Sequence, residues 1–333
     1  FKNTYKNQNI LINTLNNETN IIFSGEELNG SIREDKTGFV KIELFDTKFE
    51  FEELKSNNFV DLENINLRFI GRNIETYNSL FEEIDFYLLS NEKIITIDNI
   101  NVVSKFLKIG NYIGKQKAYI SHNKINDLYK VRGYYEISNS NYPLKNLINY
   151  NFKYLSTDLN IQWVSLEKLK DLEGNIEFLI KDFESKASLP DSTFLKALKI
   201  FNLNAIIENI NNETSITSTN LFIDRAEGDF YVGKNRALIN SPIKIETPEA
   251  NMRWAGEVMK DSNGLLDELN LNLEMRLKVS ENIPWYAALF GGVPALAGGL
   301  FFENIFDERL DDASTFRFKI YGSIEEPVIN RLD

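Results

Sequence analysis

The sequence predicts a mainly β protein, built as a long, twisted antiparallel sheet that curls into an elongated open groove. Short segments of alternating apolar and polar residues recur every 8–12 residues or so, which is typical of all-β chains. On the order of 20 such segments occur, with only one or two helical patterns to cover their apolar faces. Because a twisted sheet of that many strands tends to curl or split, the uncovered face must meet another sheet, close on itself or hold an apolar ligand.

The strand-like segments begin close to the N-terminus and continue past residue 170. They cover residues 9–13, 20–24, 39–45, 48–52, 62–70, 84–88, 94–97, 100–102, 106–109, 117–120, 129–135, 147–154, 158–163 and 174–180. The alternation slips once between Leu62 and Ile65, which predicts a β-bulge there.

One helical pattern interrupts the strands. Pro190 and Asp191 suit a helix start, because proline fits a first turn and aspartate caps free amides. An apolar side follows from Phe194 to Phe201. The strand pattern then resumes over residues 215–217, 220–223, 228–232, 236–240, 243–245 and 251–254.

Composition limits the classes of function. The 333 residues contain no cysteine and carry a net charge of −12, without a lysine and arginine cluster for phosphate contacts. We therefore expect no nucleic-acid partner. Anionic lipid surfaces repel an acidic protein, so any membrane contact should be apolar and local. The chain begins with Phe1 rather than methionine, from which we expect a fragment or a processed chain.

Catalytic chemistry has no support in the sequence. The single histidine, His122, lies in a polar segment that predicts a solvated turn. Without a partner set it forms no nucleophilic triad, and a metal site lacks histidine and cysteine ligands. The pair Gly291 and Gly292 lacks the lysine and the strand-to-helix frame of a phosphate loop. We expect no enzyme activity, no cofactor and no metal.

The C-terminal region has the sharpest pattern. Residues 269–279 alternate strictly, and an uncharged run rich in glycine and alanine extends from Asn282 to Phe302, before a last strand at 316–320. The run is long enough to span a bilayer, but its two prolines favour a helical hairpin that dips into or lies on a membrane. The alternative is a buried helix that plugs the end of the β body. We expect membrane contact from Trp285, Tyr286, Leu289, Phe290, Leu296, Leu300, Phe301 and Phe302.

These residues carry a resemblance to a known family. Two groups of residues match the C-terminal motifs of that family in the same order: Pro284, Ala287, Ala288, Leu289, Gly291, Gly292, Pro294, Ala297 and Gly298, then Gly322, Ser323, Pro327 and Val328. On these residues the chain resembles the C-terminal end of the AsmA-like superfamily, most closely YhdP-type proteins. Segments 163–201, 221–230 and 252–256 are also similar. The resemblance covers roughly residues 150–333.

The resemblance implies a bridge-like lipid transfer protein of a diderm bacterium. Such a protein moves phospholipid between inner and outer membranes along a hydrophobic groove across the periplasm, without enzymatic chemistry. Its partners would be acyl chains and, at the C-terminal end, the outer membrane. An inner-membrane anchor would lie in a segment absent here. We expect a groove over residues 1–283, an apolar helical insert over 284–312 and a closing strand over 313–333.

Strand parity selects the residues expected to line the groove. They are Phe49, Phe51, Ile84, Phe86, Ile161, Trp163, Leu271, Leu273, Met275, Phe316 and Phe318. The alternative is a structural or adhesive β-sandwich or solenoid of the cell envelope, whose apolar faces meet each other and hold no lipid.

Overall fold

The computed structural model describes residues 7–16, 18–49, 64–76, 79–110, 117–139, 150–164, 171–185, 221–248, 250–278 and 315–332. The chain forms two compact units. Unit 1 comprises Phe1–Ser138 and Ser156–Gly174, and unit 2 comprises Asn139–Leu155 and Asn175–Asp333.

Every regular element in the described ranges is a β-strand, as the sequence predicts. In and around unit 1 these are β1 (Asn9–Leu15), β2 (Glu18–Ser24), β3 (Asn29–Glu34), β4 (Val40–Phe49), β5 (Ile65–Thr76), β6 (Ser79–Ser90), β7 (Ile94–Ser104), β8 (Leu107–Ile109), β9 (Ala118–Asn123), β10 (Leu128–Ser138) and β12 (Tyr154–Val164). Unit 2 contains β11 (Tyr150–Asn151), most of β13 (Glu173–Ser185), β14 (Leu221–Val232), β15 (Arg236–Glu246), β16 (Ala250–Lys260), β17 (Leu266–Leu277), β18 (Thr315–Ser323) and β19 (Pro327–Arg331).

In unit 1 the strands from β1 to β7 pair in chain order. Strands β8 and β9 both lie between β7 and β10, and β12 pairs with β10. The pairings along β1 to β7 and those of β8 and β9 are antiparallel, except that β4 and β5 run parallel from Val40 beside Leu67 to Phe49 beside Thr76. The sequence analysis predicts a purely antiparallel sheet, and this parallel pair is an exception to it. Two parallel neighbours need a crossover connection between them rather than a tight turn.

Strand β4 also corrects the predicted strand boundaries. The sequence suggests separate strands at 39–45 and 48–52, whereas the structure joins Val40–Phe49 into one strand. Its local break is Asp46, whose backbone φ of 45° lies in the left-handed region. Asn73 in β5 and Asn99 in β7 have similar φ values of 53° and 52°. Asparagine and aspartate tolerate this conformation better than other residues with a side chain.

These left-handed residues keep one face of the sheet apolar. Across each of them the inward-facing position recurs after three residues rather than two. In β4, Leu44 and Thr47 are both buried. In β5 the buried Ile74 follows Gly71 by three residues, and in β7 the buried Ile100 follows Ile97 by three residues. The Asn73 side-chain amide donates to Asp46 Oδ1 at 2.9 Å, which joins two of the irregularities across neighbouring strands. The structure therefore shows a parity change at Asn73 within β5, while Leu62, where the bulge is predicted to begin, lies outside the described residues.

Unit 2 is an antiparallel meander from β14 to β19. Strand β13 lies beside β14, where the Phe178 and Phe230 rings meet edge to face with centroids 6.0 Å apart. Directly opposed residues form apolar rows across β15 to β18. One row is Ile245, Met252, Met275 and Phe316, and the next is Ile243, Trp254, Leu273 and Phe318.

The opposite face of unit 2 is charged. Glu274 on β17 accepts a hydrogen bond from Arg253 on β16 at 3.2 Å and another from Arg317 on β18 at 3.3 Å. On β14, Glu227 pairs with Arg225 and Lys244, and these hydrogen bonds lower the pKa of the Glu227 carboxyl. The alternation of residues 269–276 therefore separates a buried apolar face from a solvated polar and charged one, as its sequence predicts.

The predicted helix at 190–201, the apolar insert at 284–312 and its boundaries lie outside the described residues. So do Phe51 and all eight residues expected to contact a membrane. The described ranges contain no α-helix.

The left-handed backbone of Asn99 generates a test of the sheet geometry. Replacing Asn99 with valine should lower the free energy of unfolding by about 1–2 kcal/mol, because a β-branched residue is strained at this φ. Asn99→Gly, which relieves the same constraint, should leave stability unchanged or slightly raised. Urea unfolding followed by far-UV circular dichroism measures both, and equal stabilities for the two variants would contradict the assigned backbone.

Candidate functional site

An apolar face runs across the whole sheet of unit 1. Its first row of directly opposed residues crosses six strands: Ile12, Ile21, Ile32, Ile42, Phe69 and Phe86. A second row crosses β1 to β8 and reaches β10: Ile10, Phe23, Gly30, Leu44, Gly71, Ile84, Val102, Ile109 and Tyr135. A third is Val40, Leu67, Leu88, Ile97, Ile120 and Val131. We call these rows the apolar face of unit 1.

Aromatic side chains form the centre of this face. The Phe69 and Phe86 rings stack with centroids 5.4 Å apart and planes inclined by 19°. Gly71 leaves room beside them, because a Cβ there would lie 2.9 Å from Ile74 Cγ1 and 3.1 Å from Phe69 Cε1. Phe86 and Ile84 pack against the buried cluster of Ile100, Val102 and Ala118.

Many large side chains of this face remain half-buried rather than enclosed. Leu67, Phe69, Ile84, Phe86 and Leu88 each keep part of their surface in contact with solvent. A contiguous exposed apolar patch on a folded protein is a mark of a binding surface. The apolar face of unit 2 differs, since Trp254, Leu273, Met275 and Phe318 are 0–2% exposed.

The structure brings several of the predicted groove residues together. Ile84 and Phe86 lie in the rows just described, and Phe49 closes β4 opposite Thr76. Ile161 and Trp163 are two residues apart on β12 and therefore lie on the same face of that strand. The Trp163 ring stacks on Tyr129 of β10. Leu271, Leu273, Met275, Phe316 and Phe318 share the buried face of unit 2.

The stack at Trp163 includes a residue that the sequence analysis assigned to a solvated turn. His122 is the last residue but one of β9 and lies opposite Tyr129, with ring centroids 4.1 Å apart and planes 6° from parallel. Its Nε2 lies 2.8 Å from Asp127 Oδ1. Burial, and then the negative charge of Asp127 and its hydrogen bond, raise the pKa of Tyr129. His122 and Tyr129 are seven residues apart on the paired strands β9 and β10, whereas Trp163 lies 34 residues beyond Tyr129, so only the strand pairing reveals the complete stack.

The chemistry of the two faces of β10 differs sharply. Tyr135 lies on the apolar face beside Ile109, and burial raises the pKa of its phenol to about 12. On the other face, the Tyr134 hydroxyl donates to Glu136 at 2.9 Å, and Lys108 Nζ donates to the same carboxylate at 3.0 Å. On β10 the apolar face therefore carries Tyr135, while the ion pair of Lys108 with Glu136 lies on the other face.

Neither metal nor membrane-spanning features occur in the described part of the chain. Within those ranges, no three histidine, cysteine, aspartate or glutamate residues are grouped as metal ligands would be. The same ranges contain no helix with the length and hydropathy that a membrane span requires. Comparisons with protein-family models, with curated proteins and with solved structures find no match for the chain.

The Tyr135 phenol provides a pH-dependent test of this apolar environment. An unfolded tyrosine ionises near pH 10, whereas the folded phenol stays neutral until about pH 12. Between these values the unfolded state loses a proton that the folded state keeps, so the free energy of unfolding falls as pH rises. In Tyr135→Phe this fall should be less steep. Urea titrations from pH 9 to pH 11 measure the slopes, and identical slopes would contradict the raised pKa of the Tyr135 phenol.

Proposed function

We propose that the apolar face of unit 1 binds the acyl chains of phospholipid and that the protein transports lipid without catalysing a reaction. The observation that supports this proposal is the continuity of the face, in which aliphatic and aromatic side chains follow one another from β1 to β10 and many of them keep surface in contact with solvent. A surface of this kind needs no reactive group, since its ligand is recognised by burial of apolar area.

Energetics favour such a face as a transport path. Each buried CH₂ group contributes about 0.8 kcal/mol, so exposing a 16-carbon chain to water would cost on the order of 12 kcal/mol. A lipid that slides from one apolar row to the next keeps most of this contact at every step. The barrier to movement along the face is then much lower than the barrier to release into water.

The wider setting of the proposal comes from the resemblance to AsmA-like proteins. We place the protein in the periplasm of a diderm bacterium, carrying phospholipid between inner and outer membranes. In this proposal the uncharged run at 284–302 approaches the outer membrane, with Trp285 and Tyr286 at the interface. Aromatic residues of this type prefer the boundary between lipid and water.

A second candidate function is supported by the apolar face of unit 2. Its central side chains, such as Trp254 and Met275, are fully buried. A face so closed to solvent suits a structural role, in which apolar surfaces pack against each other and bind no lipid. In that case the chain is an envelope protein of the sandwich or solenoid type.

Native mass spectrometry of detergent-free protein, with lipid extraction in parallel, distinguishes the two candidates. Lipid transport requires co-purifying phospholipid in stoichiometric amounts. A lipid-free, heat-stable particle would favour the structural role. Substitutions that test binding belong on the half-buried face, because a glutamate at the fully buried Leu273 would place a charge in an apolar interior and unfold unit 2.

A matched pair of variants on β6 tests which face binds lipid. Phe86→Glu should reduce bound phospholipid roughly tenfold, because a carboxylate on the apolar face costs binding free energy. Leu89→Glu introduces the same charge on the opposite face of the same strand, where the leucine is 44% exposed, and should leave lipid binding unchanged. Equal lipid content in both variants, with circular dichroism confirming their fold, would refute the assignment of this face.

A further inference from the structure

The apolar face of unit 1 is bordered by a polar row at one end of its strands. Two residues beyond the third apolar row, the directly opposed residues are Ile65, Ser90, Ile95, His122 and Tyr129. Since each is two residues from a member of the third row, they lie on the same side of the sheet. The Trp163 ring extends this row, because it stacks on Tyr129 with centroids 5.5 Å apart. We call four of these residues the polar margin: Ser90, His122, Tyr129 and Trp163.

Two hydrogen-bond donors of the polar margin are buried without a partner. Ser90 is 1% exposed, and its Oγ atom makes no hydrogen bond in the described part of the chain. The Trp163 Nε1 atom is likewise buried and unbonded there. A buried polar group that makes no hydrogen bond is unfavourable, and a ligand with an acceptor oxygen would remove that penalty. The two donors therefore mark places where an acceptor from outside the protein fits.

Buried hydroxyls at the opposite end of the apolar rows, in β4 and β7, are bonded within the chain. The Thr47 hydroxyl donates to the Phe45 carbonyl oxygen at 3.0 Å. Ser104 Oγ donates to the Leu107 carbonyl oxygen at 3.2 Å and accepts from the Leu107 amide at 3.0 Å. The hydroxyl of Ser90 differs from these two in being open to a ligand.

We infer that the polar margin binds the headgroups of phospholipids whose acyl chains lie along the strands of the apolar face. The inference rests on the proposed function and adds the orientation of the bound lipid. The Ser90 hydroxyl and the Trp163 indole donate hydrogen bonds to ester or phosphate oxygens of the lipid. Because the order of strands from Ser90 to Trp163 is β6, β7, β9, β10 and β12, the two donors lie about 19 Å apart and contact different lipids.

The aromatic stack suits the level of a headgroup. Tyrosine and tryptophan combine an apolar ring with a polar group, so they favour the boundary between acyl chains and headgroups. The Asp127 carboxylate beside the stack lies 2.8 Å from His122 Nε2 and accepts no hydrogen bond from Trp163. The indole N–H is therefore left for the lipid.

The length of the strands supports the same orientation. On β6, the residues Leu88, Phe86 and Ile84 precede Ser90 on the same face. The six residues from Ile84 to Ser90 extend over about 20 Å. The hydrocarbon core of a bilayer is about 30 Å thick, so the acyl chains of one leaflet cover about half of that distance. An acyl chain that begins at the polar margin therefore stays on the apolar rows along its whole length.

Nitroxide-labelled phosphatidylcholine tests this orientation, because a nitroxide quenches the fluorescence of nearby tryptophans. One probe carries the label on its headgroup and the other near the end of an acyl chain. Since the chain has three tryptophans, the emission of Trp163 is the difference between the unmodified chain and Trp163→Phe. At equal amounts of bound lipid, the headgroup label should cause the larger loss of Trp163 emission.

The outcomes separate this inference from the proposed function. Equal or stronger quenching by the acyl-chain label would overturn the headgroup position, while lipid binding by the apolar face would stand. If neither probe binds to the protein, both the inference and the proposed function fail.

Ser90→Ala and Ser104→Ala form a matched pair, since each removes one buried hydroxyl. Ser90→Ala should weaken phosphatidylcholine binding about two- to tenfold, because one hydrogen bond to the lipid is lost. It should not lower the free energy of unfolding, as no bond within the protein is broken. Ser104→Ala should lower the free energy of unfolding and leave lipid binding unchanged. Lipid titration and urea unfolding measure both quantities, and unchanged lipid affinity in Ser90→Ala would contradict the role given to Ser90.

Discussion

The structure depends on one constraint, which is that each strand must present its apolar residues to the same side of the sheet as its neighbours. Perfect alternation meets this requirement in β17, where Leu269 to Met275 face one way without a break. In unit 1 the longer strands lose that parity partway along, and Asp46, Asn73 and Asn99 restore it by adopting left-handed backbone. Within the three apolar rows, Asn99 lies between two members of one strand, Ile97 and Val102, while Asp46 and Asn73 extend the inward face beyond the rows to Thr47 and Ile74.

Both units are β-sheets with an apolar face, but the burial of that face differs between them. In unit 2 the apolar rows are closed to solvent, so this face resembles one layer of a well-packed core. On the opposite face, hydrogen bonds between arginine and glutamate side chains connect neighbouring strands. In unit 1 the equivalent rows stay half-buried around Phe69 and Phe86, which leaves apolar surface that folding alone does not satisfy. This residual surface is the observation on which the proposed binding of lipid by unit 1 rests.

Alternation within a strand was readable from the sequence alone. It established the all-β class, the positions of most strands and the shared face of Ile84 with Phe86 or Leu271 with Leu273, because side-chain direction has a local period of two. Tertiary structure decided the rest. The parallel pairing of β4 with β5, the stack of His122 on Tyr129 and Trp163, and the different burial of the two apolar faces all depend on which strands meet. Strand register is a long-range choice, set by contacts between residues that no local pattern connects.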